Sequence, residues 1–214
     1  MKELTTYTRA ISYVNRIYNL LNDEFFESVL SKPTITIQST PKAYGHFTMR
    51  EDTWVSKIGN THEINIGAGT LARPIVEVVS TMLHEMVHYY NYVTGVRDCS
   101  RNNSYHNKRF RDAAESRGLV VNRSKTYGWA HTSPSNRIVD FVQRHNLTDI
   151  QINRNDHIKA TSAKNSSTRK YVCPCCGISV RATKTIRIAC VDCSKELELV
   201  KCDFSLPFNI IVVG

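Results

Sequence analysis

Five consecutive residues, His84-Glu85-Met86-Val87-His88, hold the densest chemistry in this chain. On a helix, side chains four residues apart leave from one face, because four steps of about 100° nearly complete a turn. Both imidazoles can therefore reach a single Zn²⁺, with Glu85 beside them as base toward a water at the ion. A catalytic zinc takes three protein ligands and keeps one position for water. The pattern that adds Gly three residues and His six residues after the second His is excluded, because Asn91 and Thr94 stand there. No Met follows Met86 to form a Met-turn, so the metzincin arrangement does not apply. Downstream, His106 and Glu115 fall on roughly opposite faces of a helix expected from Ser104, as N-cap, to Gly118. His106 shares its face with Phe110, Ala113 and Ala114 and is favoured; Glu115 would face solvent. His131, in Tyr127-Gly128-Trp129-Ala130-His131, is a weaker candidate. Hydrolysis also needs a donor for an oxyanion, and Tyr105 and Tyr127 both offer one.

A second constellation follows. Cys173, Cys176, Cys190 and Cys193 form two Cys-x-x-Cys pairs separated by residues 177–189. Four thiolates in two such pairs suit a closed, tetrahedral structural zinc. Cys175 could replace Cys173 or Cys176, although Pro174 and Gly177 favour the first frame; Cys99 and Cys202 are left as free thiols. Between the pairs, Ile178, Val180 and Ala182, then Ile186 and Ile188, alternate with polar residues. That predicts a small hairpin with Arg181 and Arg187 on the face opposite the apolar set.

The elements that must position these groups are also legible. Residues 3–22 predict an amphipathic helix, with Tyr7, Ile11, Val14, Tyr18 and Leu21 as its stripe. Short β-like runs follow at Thr34–Gln38, Tyr44–Met49 and His62–Ile66. The last lies just before the helix carrying His84, either as an edge strand that pairs with substrate backbone or as an interior strand. Pro74 opens that helix and Gly95 closes it, and Val76, Val79, Leu83, Val87 and Tyr90 mark its apolar stripe. From Gln151 to Lys170 the composition turns to Asn, Ser, Thr, Lys and Arg, as in a linker. Residues 208–214 form an apolar tail.

The 214 residues carry 28 Lys and Arg against 19 Asp and Glu, a net charge of +9. Residues 151–190 hold eight basic side chains and Asp156 as the only acid, so most of the surplus lies in the linker and Cys module. Basic charge beside a ring that can stack suits nucleic-acid backbone, single strands above sequence readout. The candidates are Lys164, Arg169, Lys170, Tyr171, Arg181, Lys184 and Arg187. The composition is globular and no apolar run reaches the length of a membrane span, so no membrane partner is expected. Seven cysteines behind a start, Met1-Lys2-Glu3-Leu4, that is no export signal point to metal binding in a reducing, cytoplasmic or nucleoid-associated setting. A monomer is expected.

The chain resembles the SprT-like family of zinc metalloproteases, which includes bacterial SprT and eukaryotic Spartan. The resemblance rests on Thr81 to His88, on Tyr105-His106-Asn107-Lys108-Arg109-Phe110, and on Ala114 to Leu119. Tyr18-Asn19 to Phe25-Phe26 and Tyr44-Gly45-His46-Phe47 add to it. It implies His84, His88 and His106 as zinc ligands, Glu85 as the catalytic carboxylate, and proteolysis of proteins bound or crosslinked to DNA. The implied architecture is α+β: a zincin-like metalloprotease domain of helices and a small mixed sheet over 1–150, a basic linker over 151–170, and a four-cysteine zinc-ribbon β-hairpin domain with its tail over 171–214. Two Zn²⁺ ions are expected, one catalytic and one structural. The alternatives are a protease that processes a protein regulator without DNA, and a nucleic-acid-binding zinc adaptor with weak or no catalysis.

Overall fold

The computed structural model describes residues 3–40, 43–101, 103–155 and 169–200. The chain divides into two compact units, 1–156 and 157–214.

In the first unit, helix α1 (Tyr7–Phe26) starts at Thr6, whose side chain accepts from the Arg9 N–H. Ala10, Val14, Ile17 and Leu21 are fully buried at spacings of four, three and four. The buried stripe therefore sits to one side of the expected one, and Tyr7 is exposed. The helix runs on to Phe26, where Phe25 and Phe26 extend the buried face. Asn22 then binds the returning chain at both polar groups of Leu30.

Strands β1 (Thr34–Gln38), β2 (Gly45–Thr48), β3 (Trp54–Ser56), β4 (Gly59–Thr61) and β5 (Glu63–Gly67) follow. β5 pairs parallel with β1 and antiparallel with β2, so it is the middle strand. Its Ile64 and Ile66 are fully buried. The run at His62–Ile66 is thus an interior strand, and β2 is the sheet edge.

Helix α2 (Ile75–Val93) begins after Pro74, and Asp149 accepts from the otherwise unpaired Ile75 N–H at 2.7 Å. Val78, Val79, Met82, Leu83, Met86 and Val87 are all buried, which makes α2 a central helix and not a one-faced surface one. Beyond it come β6 (Cys99–Ser100), β7 (Tyr105–His106), α3 (Lys108–Ser116), β8 (Leu119–Ser124), β9 (Gly128–Pro134) and α4 (Asn136–Arg144). The four strands form a second sheet in the order β6-β7-β9-β8. Helix α3 starts three residues later than expected. Asn107 is its cap, accepting from Arg109 and Phe110, while the Ser104 hydroxyl donates to the Arg101 carbonyl. His106 therefore stands on a strand, not a helix. Residues 151–154, read as linker from composition, belong to this unit. Asn153 accepts from the Leu71 and Ala72 N–H groups, and the Arg154 N–H donates to Ala68.

The second unit contains β10 (Arg169–Val172), β11 (Ser179–Ala182), β12 (Ala189–Cys190), β13 (Lys195–Glu196) and β14 (Glu198–Leu199). β11 pairs with β10, which precedes the first Cys pair, and β12 pairs with β13. The hairpin expected between the two Cys pairs is therefore replaced by these two pairings. Gly177, at φ +72°, lets the first Cys turn close by donating to the Cys173 carbonyl. The linker residues 156–168, including Lys164, and the tail with Cys202 lie outside the described residues.

Gly128 ties the second sheet to His106. Its φ is +68°, it bridges to His106 across β7 and β9, and an added Cβ would run into the His106 carbonyl oxygen. Gly128→Ala should therefore destabilise the first unit by about 2 kcal/mol or more, read by urea denaturation, and weaken metal retention in parallel.

Candidate metal centre

Helix α2 presents His84 and His88 one turn apart, and β7 brings His106 against them. The Nε2 atoms of His84 and His88 lie 3.2 Å apart, and those of His88 and His106 3.0 Å apart. Three nitrogens each about 2.0–2.1 Å from a tetrahedral ion would lie about 3.4 Å from one another, so the donor set fits zinc. The rings are held from behind. His88 Nδ1 meets Asp98 Oδ2 at 2.7 Å, and Asn91 donates to the same oxygen at 3.1 Å. His84 Nδ1 lies 3.0 Å from the Thr132 hydroxyl on β9. These contacts fix which nitrogen faces the ion. Phe110 forms a floor, its ring 4.5–4.7 Å from all three imidazoles. The sequence pairs Phe110 with His106 correctly but through the wrong element. Asp98 and Thr132 carry no sequence signal, since they reach the site from a loop and from a strand of the second sheet.

Burial sets the electrostatics. It drives His84 well below the usual imidazole range, helped by His88 and His106, and it takes His106 down to about 4. Neutral imidazole is the form that can ligate a metal. Burial pushes Glu85 up to about 7, while the charge of His88 and the Phe47 backbone amide pull it back. Burial also works against the Asp98 carboxylate, but hydrogen bonds from His88, Asn91 and Cys99 and the His88 charge hold it below the ordinary carboxylate range. Cys99 is thus a buried neighbour of Asp98.

Glu115 pairs with Arg111 at 3.9 Å on the outside of α3. His131 is on β9 and stands apart from the three-histidine cluster. Tyr105 lies under the Arg101 guanidinium, and Tyr127 is half exposed.

In the second unit the sulfurs of Cys173, Cys176, Cys190 and Cys193 all lie within 4.8 Å of one another. The Cys176–Cys190 separation is 3.7 Å, close to the sulfur spacing of about 3.8 Å around a tetrahedral zinc. Cys175 is exposed and outside this group. Two of the basic-face candidates need correction. Tyr171 is 4% exposed and its hydroxyl accepts from the Ile186 N–H, so its ring is part of the small core and cannot stack on a base. Arg187 is engaged by both oxygens of Glu196, at 2.9 and 3.2 Å, an exposed ion pair that offsets part of its charge. Lys170 and Arg181 stand directly opposite each other across β10 and β11, both exposed, as is Lys184. Arg169 donates to the Thr183 carbonyl.

The model of the SprT-like family matches residues 14–133, more than half of the chain. No curated protein and no solved structure matches.

Two measurements follow from this geometry. Asp98→Asn should weaken metal binding at the three histidines by about 10- to 100-fold in a chelator-competition titration, leaving the four-cysteine site unchanged. Glu85 bears on the metal-free chain. A carboxyl with a raised folded pKa contributes stability that is whole below its unfolded value of 4.5 and is lost as pH rises through about 7. Metal-free Glu85→Gln should therefore gain on the metal-free native chain between about pH 4.5 and pH 8, by up to roughly 3 kcal/mol in chemical denaturation.

Proposed function

The chain belongs to the SprT-like family, and from that premise we propose that its first unit is a zinc-dependent metalloprotease. The observation that supports this best is the convergence of three imidazole Nε2 atoms beside one buried carboxylate. Zinc held by His84, His88 and His106 would supply Lewis-acid polarisation of the scissile carbonyl and acidify a water.

The chain's own groups do the rest. Glu85 takes the proton from the attacking water and later delivers it to the leaving amine, a role suited to a carboxyl lifted by burial toward neutral pH. Asp98 and Thr132 keep the imidazoles aimed, and Phe110 keeps water from beneath them. The edge strand β2 passes directly over Glu85: a Cβ on Gly45 would sit 3.3 Å from Glu85 Cγ. With β5 on one side, β2 turns its other side toward Glu85, where the Phe47 N–H meets the carboxylate and the remaining outward backbone groups could hydrogen-bond an extended substrate. Backbone pairing of this kind gives affinity with little dependence on sequence.

The second unit serves as a zinc ribbon, with zinc at its four cysteines. Lys170, Arg181 and Lys184, joined to the basic segment that precedes them, supply a docking face for DNA backbone. On this reading the substrates are proteins bound or crosslinked to DNA. The loss of Tyr171 and Arg187 from that face favours a second reading, in which the ribbon contacts protein and the enzyme processes a protein regulator without DNA.

Glu85→Gln should abolish cleavage, by about 10³-fold or more, while metal analysis still finds zinc at both sites. Unchanged cleavage would sink the assigned mechanism. A DNA-crosslinked protein, offered with and without single-stranded DNA, separates the readings: acceleration by DNA supports the first, and none supports the second.

A further inference from the structure

Between the edge strand and the middle strand of the first sheet, the chain makes an excursion that no part of the metal centre needs. The β2–β5 ladder ends at the pair Thr48 and Glu63, and the hairpin β3–β4 grows directly from that end. It turns through Lys57 and Ile58, since Ser56 pairs with Gly59. A hairpin tip is ordinarily polar, yet Ile58 is fully exposed, Val55 is 74% exposed and Trp54 43% exposed. Met49, at the end of β2, is also exposed. At the root of the hairpin, Phe47, His62, Tyr89 and Tyr92 stack against one another at 5.1–5.9 Å. Tyr89 is one turn beyond Glu85 on α2, and Tyr92 one turn beyond His88. An aromatic wall therefore leads from the metal centre, along β2, to the apolar hairpin.

We propose that this hairpin is a docking shelf for apolar side chains of an extended polypeptide that pairs with β2, so that the site selects unfolded protein segments. The proposal rests on the peptidase reading for the course of the substrate strand. Continuity of the chain carries it: a polypeptide paired along β2 past Glu85 and carried on beyond Thr48 runs toward the hairpin, because residues 49–53 lead from the end of β2 into β3. Charge points the same way. Arg50 is paired with Asp52 at 3.0 and 3.1 Å, and residues 49–63 carry two cations, Arg50 and Lys57, against three carboxylates, Glu51, Asp52 and Glu63. Such a rim offers no basic collar for anionic lipid or for nucleic acid, whereas polypeptide needs none.

The test uses the full zinc-loaded chain carrying Glu85→Gln, with and without Val55→Ser and Ile58→Ser. Both hairpin side chains are exposed, so the fold is not at risk. Binding is read by fluorescence anisotropy with labelled peptides of alternating Leu and Ser, or of alternating Gly and Ser. The Leu–Ser peptide should bind about tenfold more weakly once the hairpin is polar, with the Gly–Ser peptide unaffected. Equal binding of the Leu–Ser peptide by both proteins would overturn the proposal. So would hairpin-dependent binding to phosphatidylglycerol vesicles without any effect on the peptide. Cleavage of a short peptide by the Glu85 chain bears on the peptidase reading alone, and the binding comparison decides the hairpin whichever way cleavage falls.

Discussion

The dry space around His84, Glu85, His88 and His106 is the constraint on which the first unit depends. Water would hydrate all four side chains and leave no reason for them to converge. Burial narrows that option: the rear nitrogens of His84 and His88 each meet a partner, while the buried His106 Nδ1 has no hydrogen-bond partner among the described residues. Asp98 and Asn91 answer this for His88, and Thr132 answers it for His84. Asp98 sits in the turn between α2 and β6, and Thr132 sits on β9, so the need to satisfy two imidazoles pins two separate segments to one helix. The second sheet is best understood as the frame that brings those segments in.

The same constraint explains which parts of the site were legible. The α2 pair is legible because helical periodicity is local: two His at a spacing of four need only a helix, and Pro74 and Gly95 mark its ends. His106 was identified on a helical-face argument that does not hold, since Asn107 outcompetes Ser104 for the cap and leaves His106 on β7. His106 still meets the α2 pair, because Phe110 and His106 both face α2, whichever element carries them. Sheet order was harder to read. Whether the strand after His62 is an edge or a centre depends on β1 and β2 finding it, and alternation within five residues says nothing about that. Asp98 and Thr132 were invisible because their role exists only after three distant segments meet.

The second unit shows how far a small core distorts a reading from composition. With so few residues to bury, Tyr171, Leu197, Cys173 and Cys190 make up the buried cluster. An aromatic that looks available for stacking is then drawn inside, being the one aromatic side chain among the described residues of this unit. Ile178, Val180 and Ile186, expected as the packed face, are left exposed. Charge behaves in a similar way. Arg187, just before β12, and Glu196 on β13 pair at 2.9 Å, so a count of basic residues overstates the net field at the surface. What persists is the Lys170–Arg181 pair, whose like charges sit opposite each other on one face. That arrangement costs stability in isolation and is relieved by an anion.

On the peptidase reading proposed above, an edge strand beside Glu85 would recognise backbone, which every protein has, so its selectivity would come from the state of the substrate and not from its sequence. A folded domain has few strands free to pair with β2; an unfolded segment has many, and its apolar side chains are exposed. Gly45 makes the approach between β2 and Glu85 possible, since a side chain there would meet the Asn65 carbonyl at 2.8 Å and Thr81 at 3.1 Å. That close approach brings a paired backbone to the carboxylate without reading any side chain at the point of cleavage. Side-chain discrimination is left to whatever lies farther along the strand. The exposed apolar surface at Val55 and Ile58, on the hairpin that follows β2, would provide it by rewarding exposed apolar groups, the property that distinguishes unfolded protein from folded.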